Sequence, residues 1–200
     1  MARSFAQLAR NAEKKRASIS VSKEPLKVPP LAIHKLGHQA LRETGSRISK
    51  VDEKIRDLAR DMLRSMYSAK GIGLAGPQVG VQKRILVIDL DIENPTNPPL
   101  VLINPEIIGT SASIETYEEG CLSIPGVYLD VIRPSEVKIS YSDDMGRPKK
   151  MNADGLMARC IQHEIDHLNG VLFVDRVTSE ESLIKELKDN GYSQDDVLPI

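Results

Sequence analysis

Two histidines stand four residues apart at His163 and His167, with Glu164 directly after the first. On a helix, residues four apart share a face, so both imidazoles can meet one metal ion. Glu164, one step round, can then reach a water at that metal and take its proton. A bare HExxH also arises by chance on exposed helix faces, and two histidines do not complete a site. A catalytic metal centre needs a third protein ligand and an open position for water. The extended form HExxHxxGxxH keeps Gly170 but has Phe173 where its third histidine belongs. A carboxylate about twenty residues downstream is the other zincin solution; Leu187 holds that spacing and Glu186 is one residue off. Upstream lies Cys121, within Glu118-Glu119-Gly120-Cys121-Leu122-Ser123-Ile124-Pro125. A thiolate there competes with Glu186 for the third position, and a small buried apolar cysteine is its ordinary alternative.

The elements that must position these residues are partly readable. Asp154 is placed to cap a helix through the histidines and Gly170 to end it. Leu156, Cys160, His163 and His167 form one stripe of that helix. From Val51 to Lys70, apolar residues at helical spacing oppose Lys54, Arg56, Asp57, Arg60 and Asp61, giving an amphipathic helix stopped by Gly71. The glycine-rich loop from Gly71 to Gly80 lacks the lysine and hydroxyl residue of a phosphate cradle. Strand signals follow at 84–90, 101–103 and 136–141, with a turn at Asp143 to Gly146. A charged helix over 179–188 begins at the cap Ser179. Strands first and a chemistry-bearing helix afterwards predict an α+β fold. Mostly antiparallel sheets pack around a central HExxH helix, with an amphipathic helix N-terminal to them.

Two hundred residues with 40% hydrophobic content form one core. A net charge of −1 gives no support for DNA or an anionic membrane as partner. No apolar run approaches a membrane span, and two cysteines make a disulfide framework improbable. The first thirty residues differ, with seven Lys or Arg against Glu13 and Glu24, closed by Pro29-Pro30. They read as a basic extension over 1–28, disordered or as an amphipathic helix, before a single catalytic domain over 29–200. This suits a cytoplasmic bacterial protein, with a transit peptide to the plastid stroma as the alternative.

Gly71-Ile-Gly-Leu-Ala-Gly-Pro-Gln78, Glu119-Gly-Cys-Leu-Ser123 and Gln162-His-Glu-Ile-Asp-His-Leu-Asn-Gly170 occur in that order. Together they resemble the peptide deformylases, in the type 1 form, over residues 28–176. One departure is Gly76, where the family usually has alanine, which predicts a looser loop. The resemblance implies removal of the formyl group from N-formylmethionine on nascent polypeptides, releasing formate. It implies that Cys121, His163 and His167 hold one divalent metal, Fe2+ in the cell, with Zn2+ or Ni2+ able to substitute. Glu164 becomes the proton carrier, and the Gln78 amide and Leu122 N–H receive charge on the formyl oxygen. Ile72, Leu156 and Cys160 would line the methionine slot, and the Gly73 and Gly120 backbones would hold the peptide. Glu119 and Arg133 are expected to pair and brace the cysteine loop. Arg159 is expected at the rim with its head in water, Asp166 either orienting an imidazole or exposed, and His34 and His38 at the surface. The rivals are a zincin-like peptidase using Glu186 and a non-catalytic binding module on the same fold. Transient ribosome docking would use the basic arm, since residues 180–200 hold six acids against Lys185 and Lys188.

Overall fold

The helix expected over 51–70 runs from Glu53 to Ser68 (α1) in the computed structural model, which describes residues 19–197. Asp52 caps it, its carboxylate accepting from the Ile55 N–H at 3.1 Å. The helix ends in a Schellman arrangement: Lys70 N–H donates to Tyr67 O and Gly71 N–H to Met66 O, both at 3.0 Å. Lys70, not Gly71, takes the left-handed position, with φ +58°. Gly71 is needed for another reason, because a Cβ there would lie 2.4 Å from Leu122 Cδ1. The helix end thus closes directly onto the cysteine turn.

Five antiparallel strands form the main sheet in the order β1 (Gly73–Ala75), β2 (Ile85–Ile88), β3 (Leu100–Thr110), β6 (Glu136–Ser142) and β7 (Pro148–Asp154). Strand β2 is apolar throughout because both its faces are covered. Ile85 and Val87 pack with Met62, Leu63 and Met66 of α1, whereas Leu86 and Ile88 face Ile161 and Ile165. Each such side chain contributes about 1.5–3 kcal/mol on burial, so the sheet is held between two helices. The second of these, α2 (Gly155–Leu168), carries the HExxH residues. Asp154 sits at its N-cap in an extended conformation, although its side chain makes no capping bond. Gly170, at φ +73°, ends it; a Cβ there would meet Arg42 O at 2.5 Å.

Strands β4 (Ile114–Cys121) and β5 (Ile124–Pro134) form a separate antiparallel hairpin with no counterpart among the strand signals. This hairpin covers the flank of α2 away from the sheet, so every residue from Ala158 to Leu168 is buried. The helix is therefore not a one-sided stripe. The closing helix α3 (Glu180–Asp189) is capped by Ser179, as its sequence predicts, and buries Leu187 beside Val127 and Leu129 of β5. The disorder or amphipathic helix expected for the basic extension falls, over residues 1–18, outside the described residues. The remaining part places Ile19 in the core, 4% exposed. Among the described residues no helix is long and apolar enough to cross a membrane.

Candidate metal centre

Strand β4 ends at Cys121, and α2 brings His163 and His167 beside it. One ligand atom from each of the three lies within 4.8 Å of the others. Cys121 Sγ is 3.2 Å from His167 Nε2, and the two imidazoles meet edge to face with centroids 5.0 Å apart. Burial alone would push the Cys121 thiol up, but the neighbouring His167 and His163 hold it well below the usual thiol range. A thiolate with two imidazoles is a donor set that suits Zn2+, Fe2+ or Ni2+. Glu186 is outside this cluster; it lies on α3, where its carbonyl accepts from Asn190 Nδ2 at 2.9 Å.

A buried ionic frame fixes the ring of His163. Its Nδ1 is 2.9 Å from Glu119 Oε2. Arg133 donates to both Glu119 oxygens, at 2.6 and 2.9 Å, as expected for this pair. Burial opposes the charge on Glu119, yet Arg133 and His163 keep its carboxyl well below the ordinary carboxylate range. Arg133 also donates to Asp166 Oδ2 at 2.6 Å, and Asp166 takes two further bonds from Arg176 at 2.5 Å. Asp166 is therefore neither exposed nor bonded to an imidazole; it anchors the arginine that holds Glu119.

Arg159 corrects the expectation of a solvated rim residue. It is 7% exposed, donating to Glu119 Oε1 and Val131 O at 2.9 Å and to Glu115 O at 2.7 Å, with Tyr117 stacked over its guanidinium. A charge is tolerated here because each of these partners is supplied by the hairpin. The expected looseness at Gly76 is also absent. It is buried in a tight 3-10 turn, where a Cβ would lie 2.7 Å from both Val81 O and Lys83 O. His34 is half-buried rather than at the surface, stacked on His38 at 3.7 Å, and its backbone N–H donates to Gln78 O at 2.8 Å.

That same turn aims Gln78. Its Oε1 accepts from Ala75 N–H at 2.8 Å, so Nε2 faces Ser123 Oγ at 3.1 Å and Cys121 Sγ at 3.5 Å. Leu122 follows Cys121 in the hairpin turn, its carbonyl taken by Lys35 Nζ at 2.7 Å. Glu164 is buried, with Oε2 unpaired among the described residues. Burial pushes its carboxyl up to about 7 against the opposing pull of His163 and His167.

A cavity of 580 Å³ opens over these groups, lined by Ile72, Gly73, Gly120, Leu156, Cys160 and Glu164 among others. All five residues expected to bind substrate thus meet at one place. A Cβ on Gly73 would lie 2.4 Å from Glu164 Oε1, and one on Gly120 would strike Tyr128 at 2.5 Å. Burial, with Glu164 and Glu119 nearby, pushes the Cys160 thiol well above its usual range. Three residues of the site escaped the sequence reading: Ser123, Lys35 and Tyr128. Ser123 stood within the cysteine motif; the other two carried no signal.

Residues 30–183 match the family described as Polypeptide deformylase. Peptide deformylase 2 of Prochlorococcus marinus (strain MIT 9313) is 69% identical over 200 residues, covering 100% of both chains. The peptide deformylase of Synechococcus sp. (strain CC9311) is 70% identical over 200 residues, covering 100% of this chain and 99% of that protein. The crystal structure of a peptide deformylase from Synechococcus elongatus in complex with actinonin superimposes with TM-score 0.89 at 54% identity, over 92% of this chain and 100% of that one. A peptide deformylase from Legionella pneumophila gives TM-score 0.75 at 38% identity, over 80% of this chain and 92% of that one. With its cysteine, histidines and glutamate gathered under one cavity, the chain belongs to the peptide deformylase family, the metal-dependent hydrolases that remove the N-formyl group from nascent polypeptides.

Proposed function

We propose that Cys121, His163 and His167 hold one divalent cation, Fe2+ in the cell with Zn2+ or Ni2+ able to replace it, and that Glu164 moves the proton of the reaction. The observation that carries this reading is the convergence of three donor atoms within 4.8 Å beside a buried, half-unpaired carboxylate. When bound, the cation supplies Lewis acidity that brings a water's pKa toward neutrality. Glu164 accepts the proton of the attacking water and passes it to the leaving amine. Burial favours the protonated carboxyl that must deliver this proton to the amine. The Gln78 amide, fixed by Ala75, and the Leu122 N–H receive the charge that develops on the formyl oxygen. Formate leaves, and the methionyl amine is freed.

Ile72, Leu156 and Cys160 form the wall for the methionine side chain, and the Gly73 and Gly120 backbones hold the peptide. The protonated state of Cys160 suits that apolar task. Nascent N-formylmethionyl chains are the substrate, met at the ribosome through transient contacts of the basic N-terminal arm. Relatives matched over the whole chain come from cyanobacteria, which favours a bacterial cytoplasm over a plastid stroma.

Replacing Glu164 by glutamine tests the proton role. Glu164→Gln retains its metal and loses about 10²–10⁴-fold in formate release. Near-normal turnover in a metal-replete variant would overturn the assignment.

A further inference from the structure

The family match begins at residue 30, yet the segment before it reaches the back of the substrate wall. Ile19 is buried in the core cluster that includes the apolar face of α1, and Val21 packs against that cluster. Lys23 turns inward, its Nζ 2.7 Å from Asp89 Oδ2, with side chains 8% and 3% exposed. The same ammonium donates to Asp91 O at 2.8 Å. Farther on, Leu26 N–H donates to Ser68 Oγ and Leu31 N–H to Ser65 Oγ, both at 3.0 Å. This strap therefore runs along the last turns of α1, which lead straight into Gly71 and Ile72.

Asp89 connects the strap to the site. Its Oδ2 also accepts from Tyr67 Oη at 2.7 Å, and Oδ1 accepts from Asp91 N–H at 2.9 Å. Its own N–H donates to Ile72 O at 2.9 Å, continuing the β1–β2 ladder that pairs Gly73 with Ile88. Ile72 and Gly73 line the cavity. There is no slack at this point, because even a Cβ on Gly73 would collide with Glu164. An ammonium placed this deep must be paired, and its partner is the residue that fixes the Ile72 carbonyl.

We propose that Lys23 is a positioning residue for deformylation: through Asp89 it sets the Ile72–Gly73 backbone against which the peptide beyond formylmethionine is held. This rests on the reading that the Gly73 backbone holds substrate. A charge pair that only stabilised the fold would leave the kinetics of the folded enzyme unchanged. A positioning role instead depends on substrate length, since only a peptide with backbone beyond methionine uses the whole segment.

The test compares formylmethionine amide with a formylmethionyl tripeptide on the metal-replete enzyme. Lys23→Met is expected to raise KM for the tripeptide roughly tenfold, while leaving kcat, KM for the short amide and metal content as in the wild type. Lys23→Arg restores the tripeptide KM. Should Lys23→Met fail to fold, the double variant Lys23→Met/Asp89→Asn removes both buried charges, keeps a partner for Tyr67 Oη, and is read with the same two substrates. An unchanged tripeptide KM in a folded variant, or an equal rise for both substrates, overturns the proposal. The underlying reading fails separately: if Gly73 does not hold the peptide, the wild type accepts a tripeptide N-methylated after methionine as well as its parent.

Discussion

The two cysteines of this chain sit in opposite electrostatic surroundings, and their chemistry should differ accordingly. Cys121 is held toward the thiolate by two imidazoles, whereas burial beside Glu164 and Glu119 keeps Cys160 protonated. Only a thiolate is readily oxidised. With iron in the cluster, aerobic ageing is expected to oxidise Cys121, release the metal and abolish activity. The nickel form should persist, because its metal does not readily undergo the same redox step. Activity, metal content and the masses of the peptides carrying Cys121 and Cys160 are the measurements. Equal decay of both forms, or decay with Cys121 and metal intact, contradicts this. At this scale the two histidines and Glu164 are legible from helical spacing, whereas Cys121 beside them follows only from the family resemblance, because it lies on another element. Arg159 was misread because Glu119 was assigned a single arginine, whereas its carboxylate serves two arginines and an imidazole.

The β4–β5 hairpin holds the cysteine in place; β5 buries Ile124, Val127, Leu129 and Val131, but the one buried side chain of β4 is the ionic Glu119. Ile114–Cys121 is almost wholly exposed except for Glu119, so the apolar alternation that marks a half-buried strand is missing from it. By contrast, α1 is readable from its periodic apolar face and β2 from its unbroken apolar run. Removing the centre of the ionic frame should therefore be costly. Arg133→Ala leaves Glu119 and Asp166 with Arg159 and Arg176 as remaining partners. Breaking a buried pair costs roughly 3–5 kcal/mol, and metal affinity or activity is expected to fall about 10–100-fold without loss of the fold. The pH dependence has a definite sign. The folded Glu119 carboxyl is depressed, so its contribution is complete above the unfolded pKa of about 4.3 and is lost as pH falls through the folded value. Thermal unfolding followed from neutral pH downward should show Arg133→Ala losing less stability on acidification than the wild type. Parallel curves would contradict the coupling.

For the whole molecule, charge is unevenly divided along the chain. Residues 1–18 hold Arg3, Arg10, Lys14, Lys15 and Arg16 against Glu13, whereas α3 and the segment after it are acidic. The next ten residues read as more of the same basic arm because serines and Lys23 interrupt their short apolar alternation. The inward turn of Lys23 is invisible without its partner Asp89, which lies 66 positions away in sequence. The proposed ribosome docking should accordingly depend chiefly on residues 1–18 and weaken steeply with salt. Deleting them is expected to abolish co-sedimentation while leaving deformylation of a free peptide unchanged. Binding that survives this deletion, but is lost when the acids of α3 are neutralised, would assign docking to the other end.

The metal content of two variants purified without air bears most directly on the centre itself. Cys121→Ala should lose the stoichiometric metal, since it removes one of three protein donors. Glu186→Ala should keep the metal and continue to release formate. A metal-replete Cys121→Ala beside a metal-free Glu186→Ala would contradict the cysteine–histidine–histidine centre.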